Sequence, residues 1–115
     1  MPSNTLPILV KFQRSGGALT RLTVSIWPGQ GELTVPVDSI SFVNFKREAE
    51  HGTLSVPPGK YRVVTIVEVI EAISGRFEYR CEVAGKERDK REGNINTTSK
   101  RDVEIFTNRF ELEVA

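Results

Sequence analysis

Apolar and polar residues alternate with a period of two along most of the chain, the pattern of half-buried strands rather than of amphipathic helices. Ile8, Val10 and Phe12 share one face of a first strand, and Pro7, which has no N–H to give to a ladder, marks that strand as an edge over 6–13. Leu22, Val24 and Ile26 face one way in a second strand, with Arg21, Thr23 and Ser25 opposite. Trp27-Pro28-Gly29-Gln30 has the Pro-Gly centre of a type II turn, and Leu33, Val35 and Val37 follow in a strand over 32–37 that Pro36 again marks as an edge. Ile40 to Phe45 is apolar on both faces, and Lys46 to Gly52 reads as a polar connection before a short strand over Thr53 to Val56. Tyr61 to Ile70 is the most apolar run and is expected in the middle of a sheet.

Phe77, Tyr79, Cys81 and Val83 alternate strictly with Arg76, Glu78, Arg80 and Glu82, giving one buried and one wet face. Gly85 to Asn94 reads as a charged loop. Val103, Ile105, Phe106, Phe110, Leu112 and Val114 form the last strands, with a hairpin turn or bulge at Thr107-Asn108. The expected fold is all-β: a single-domain antiparallel β-sandwich spanning 1–115, of about eight or nine strands.

Composition agrees with this. Val, Ile and Thr number 30 against 13 for Leu, Ala and Met, and β-branched side chains suit pleated sheets better than helices. Sixteen basic residues against fifteen acidic leave a net charge of +1, which disfavours a general nucleic-acid binder. The start of the chain has no basic and apolar signal pattern, and no apolar run approaches the length of a membrane span. With a single cysteine, Cys81, no intrachain disulfide forms, and a cytoplasmic, reducing setting is the expectation.

Ser55-Val56-Pro57-Pro58-Gly59-Lys60-Tyr61-Arg62-Val63 resembles the proline-glycine-x-tyrosine-x-valine hairpin of prealbumin-like, carboxypeptidase-regulatory-like β-sandwich domains. The resemblance implies a structural hairpin and an accessory, adhesive or scaffold role rather than catalysis. It carries no catalytic or binding residue.

Catalytic residues are not expected. His51 can be combined on paper with Asp38 or Asp102 and a serine, or with Cys81, but no nucleophile elbow surrounds any serine, and Cys81 sits on the apolar face of its strand. Three aspartates in separate segments and one histidine give no metal-ligand spacing, so neither metal nor cofactor is expected. The leading expectation is a non-catalytic binding or assembly module that engages another protein or a second copy. Its surfaces would be the edge strands over 6–13 and 32–37 and the 85–94 loop, with Lys86, Arg88, Lys90 and Arg91 as contact residues. The alternative is a small carbohydrate-binding sandwich with Trp27 and Tyr61 as stacking platforms. For Trp27 the simpler expectation is a ring folded over the open end of the sandwich.

Overall fold

The computed structural model describes residues 5–29, 35–43, 48–95 and 103–115. Among these residues eight strands run in order as β1 (Leu6–Ser15), β2 (Leu19–Pro28), β3 (Asp38–Phe42), β4 (Ala49–Val56), β5 (Gly59–Ile70), β6 (Arg76–Val83), β7 (Lys86–Asn94) and β8 (Val103–Val114). They form two four-stranded antiparallel sheets, β4-β1-β6-β7 and β3-β2-β5-β8, packed face to face as the alternation predicts. No helix among the described residues is long and apolar enough to cross a membrane.

The inward positions of every long strand meet in one core. Val10 and Phe12 of β1, Leu22, Val24 and Ile26 of β2, Val63 and Val67 of β5, and Tyr79 and Cys81 of β6 are all buried. Aromatic rings join the layers: Phe12 lies 6.2 Å from Phe42 and 6.1 Å from Tyr79, and Phe106 of the opposite sheet lies 5.5 Å from Phe77. Within the apolar run of β5, Ile66 points to the outer face of its sheet, because the strand alternates there with Thr65 and Val67 inward. As expected, β5 is internal, between β2 and β8.

Several expected boundaries change. β1 is not an edge strand but lies between β4 and β6. Pro7 is tolerated because β6 pairs only from Val10 onward, so the proline sits on the overhang, where its missing N–H leaves no ladder bond unmade. The strand expected over 32–37 falls partly outside the described residues, and Val35 to Val37 are exposed and not in a strand. β4 begins at Ala49, inside the expected polar connection, since pairing with β1 needs backbone groups and not apolar side chains. The 55–63 segment is not a hairpin, because β4 and β5 belong to different sheets and Pro57-Pro58 carries the chain across. The Tyr61 hydroxyl donates to the Pro57 carbonyl at 2.5 Å and fixes this crossing. β8 runs unbroken through Thr107 and Asn108.

The expected 85–94 loop is the strand β7. Ala84 and Gly85 both take positive φ (56° and 76°), the backbone of a two-residue type I′ hairpin that joins β6 directly to β7. The charges concealed the strand because its inward positions are polar and are satisfied by neighbours rather than by apolar packing.

Candidate functional site

The two sheets end on the same side in β7 and β8, and this seam gathers four of the residues singled out in the sequence. A register shift in β7 between the partners of Cys81 and Glu82 leaves Arg88 as an extra residue. Its guanidinium carbon lies 4.2 Å over the Phe110 ring of β8, and its Nε donates to the Val83 carbonyl at 3.3 Å. Arg91 lies 4.7 Å over Phe106 in the same manner. Asn108 of β8 donates from Nδ2 to the Arg88 carbonyl at 2.7 Å, tying the two edges together. Arg88 and Arg91 therefore close the sandwich over apolar rings. Arg88 is half-buried, whereas Arg91, Lys86 and Lys90 are exposed.

Beneath this seam the Tyr79 hydroxyl donates to Asp89 Oδ2 at 2.9 Å. Burial first, and then the Asp89 carboxylate, holds the Tyr79 phenol well above its ordinary range. Burial likewise pushes the Cys81 thiol from 9.0 up to about 12, with the Asp89 and Glu82 carboxylates adding to it. Cys81 is fully buried, whereas His51 is exposed on the outer face of β4, so the thiol–imidazole pair is not assembled.

The thiol and the phenol set an alkaline limit. The native protein keeps a Cys81 proton that the unfolded chain releases above pH 9, so this contribution to stability is complete below pH 9 and is lost as pH rises towards 12. Tyr79, also raised, acts with the same sign at still higher pH. Urea midpoints are expected to fall between pH 9 and 12, and Cys81→Val is expected to flatten the start of that fall. Equal pH profiles for the two proteins, or rapid reaction of the native thiol with a disulfide reagent, would contradict the buried neutral thiol.

Trp27 and Tyr61 do not form a pair. Trp27 lies on the outer face of β2, half-buried, with its indole N–H donating to Ser25 Oγ at 2.9 Å, and does not cap the end of the sandwich. Tyr61, opposite Pro28 in the ladder, points inward with 9% of its surface exposed, so its ring offers no open stacking platform. Beside Trp27, across the ladder, is Arg62, and Arg62 in turn opposes Glu111 of β8. A groove of about 380 Å³ there is lined by Gly29, Lys60, Arg62, Glu111 and Glu113 among others.

The segment expected as the last strands is β8, and what the sequence does not mark is its place at the edge of a sheet. Its exposed positions are Val103, Ile105, Thr107, Arg109, Glu111 and Glu113, and its inward positions from Phe106 to Val114 are half-buried. All twelve residues pair with β5 on one side, and β8 ends its sheet. The signal was partial: Phe110, Leu112 and Val114 alternate with charged neighbours and no Pro or Gly interrupts Val103 to Val114, but the apolar phase changes between Ile105 and Phe106. Comparison with protein-family models, curated proteins and solved structures returned no match.

Proposed function

We propose that the chain is a non-catalytic binding or assembly module that engages another protein by adding a strand to the open edge of β8. The observation that carries this reading is the contrast between β8 and the other three edges. Among the described residues β8 offers from Ile105 to Val114 a continuous row of backbone groups with no proline, glycine or bulge. β7 has a register shift and seven consecutive charges from Lys86 to Glu92, features that deter edge pairing. β3 is only five residues long, and on β4 the Ser55 N–H is already taken by the Asp38 carboxylate at 2.9 Å, whereas the bond that ties β8 to β7 uses the Asn108 side chain and not the β8 backbone.

Amide hydrogen exchange of β8, followed by NMR, tests the reading. In the free protein the amides of Ile105 to Val114 that bond to β5 are expected to exchange slowly and the alternate set quickly. Binding of a strand-donating partner is expected to slow that alternate set. A partner that binds tightly and leaves β8 exchange unchanged would remove the edge from consideration. The outward placement of Trp27 keeps a carbohydrate reading as second choice, without Tyr61. A glycan that shifts the tryptophan emission without altering β8 exchange would favour it.

A further inference from the structure

We propose that the strand added to β8 is β8 of a second copy, paired antiparallel about a two-fold axis that sets Phe110 opposite Phe110. This rests on the edge-strand reading above and names its partner. In that register Phe106 to Val114, nine residues, overlap with the same nine of the second copy. Antiparallel neighbours point to the same face of a sheet, so outward side chains meet outward ones. Arg109 then stands opposite Glu111 of the second copy, twice over by symmetry, and Thr107 stands opposite Glu113.

The charges of β5 extend this match. Arg62 already opposes Glu111, and Lys60 opposes Glu113. Across the joined sheets one row reads Arg62, Glu111, then Arg109 and Val64 of the second copy, with opposite charges at each charged step. Other registers lose this match. Centring the axis on Arg109 sets arginine on arginine, and centring it on Glu111 sets glutamate on glutamate. Centring it on Asn108 places Glu111 against Ile105 and Glu113 against Val103, leaving carboxylates beside apolar side chains. On the inner face, Phe110 and Leu112 are half-buried at the rim of the core, and the second copy covers them. The two Arg88 side chains, each over a Phe110 ring, approach the axis from the other sheet and are a like-charge contact that this register retains. The expected dimer is therefore reversible and concentration-dependent.

Light scattering over a concentration series reaching the millimolar range is expected to show the wild-type chain passing from monomer to dimer. Arg109→Glu and Glu111→Arg each convert two attractive pairs into repulsive ones and are expected to raise the dimer dissociation constant by about tenfold or more. An equimolar mixture of the two variants restores both pairs, so a mixed dimer is expected where each variant alone stays monomeric. Misfolding does not produce that recovery. As a second measurement, mixing Thr107→Cys with Glu113→Cys chains is expected to give a disulfide-linked heterodimer, because antiparallel neighbours lie within disulfide reach and the buried Cys81 does not compete. A wild-type chain that remains monomeric throughout, or a dimer indifferent to both charge reversals, overturns the proposal. If that monomer still shows slowed β8 exchange with a foreign strand, only the second copy is refuted and the edge reading stands. If no binding partner protects β8, both fall.

Discussion

Replacing Glu50 by alanine is expected to destabilise the fold by about 3–5 kcal/mol, a large share of the roughly 5–15 kcal/mol that holds a domain of this size together. Glu50 of β4 meets Arg14 of β1 at 2.9 Å, with 6% of the arginine side chain and 16% of the glutamate side chain exposed. The guanidinium also donates to the Thr20 carbonyl of β2 at 3.1 Å and lies 5.2 Å from the Phe12 ring centre, so it spans both sheets at the end of the core. Removing Glu50 takes a carboxylate away from a cation in a place water barely reaches. The Coulomb attraction lost is much larger there than at the surface. Replacing both residues with apolar ones, Arg14→Met with Glu50→Leu, is expected to cost far less than the single change, since the desolvation of two ions is removed together with their attraction. Urea denaturation of the two single variants and the double variant closes a cycle. A Glu50→Ala midpoint within about 1 kcal/mol of wild type would show that the pair is solvated and of surface strength.

That pair also shows where sequence reading stopped. Arg14 lies beyond the 6–13 span expected of the first strand, and Glu50 falls in the expected polar connection, because neither has an apolar side chain to keep the alternation visible. The structure continues both strands through them, and each residue makes the other acceptable at an inward position. β7 is the same case: Asp89 and Arg91 occupy core-facing sites and are satisfied by Tyr79 and by the face of Phe106. Alternation detects strands whose inward residues are apolar, as in β2, β5 and β6. It misses strands whose inward residues find charged or hydroxyl partners from other elements, because those partners are remote in sequence. The two-sheet fold was legible, since a dozen apolar positions at even spacing admit little else. Edge and centre were not, because the order of strands depends on pairings between distant segments. A proline was a poor guide to that order where the neighbouring strand stops short of it, as β6 does before Pro7. Arg88 and Arg91 are expected in a charged loop, and the fold sets them on a strand against the rings of β8. Without the fold, two arginines in a charged run look solvated, and only Phe106 and Phe110 from β8 make them a seal.

Phe12→Ala is expected to cost about 3–5 kcal/mol, because Phe12 is the ring through which the core of one sheet reaches the core of the other. It is 1% exposed, lies opposite Cys81 of β6 in the ladder, and stands within 6.2 Å of both Phe42 of β3 and Tyr79 of β6 by ring centres. Those rings are anchored by separate strands in opposite sheets, so they have little freedom to close over the void, and a cavity that does not collapse costs its full share. Phe12→Leu keeps most of the volume and is expected to cost about 1.5 kcal/mol or less. The two variants should differ in denaturation midpoint while sharing the wild-type m-value, since the surface exposed on unfolding changes little. The loss also bears on the edge. Tyr79 leans on Phe12 from one side and on Phe106 of β8 from the other, 6.2 Å away, so loosening Phe12 loosens the packing behind β8. Amide exchange of β8 is therefore expected to quicken in Phe12→Ala more than in Phe12→Leu, including at amides bonded to β5. Unchanged β8 exchange in a destabilised Phe12→Ala would mean that β8 is held by its pairing with β5 alone, and that the aromatic bridge plays no part in keeping the open edge in place.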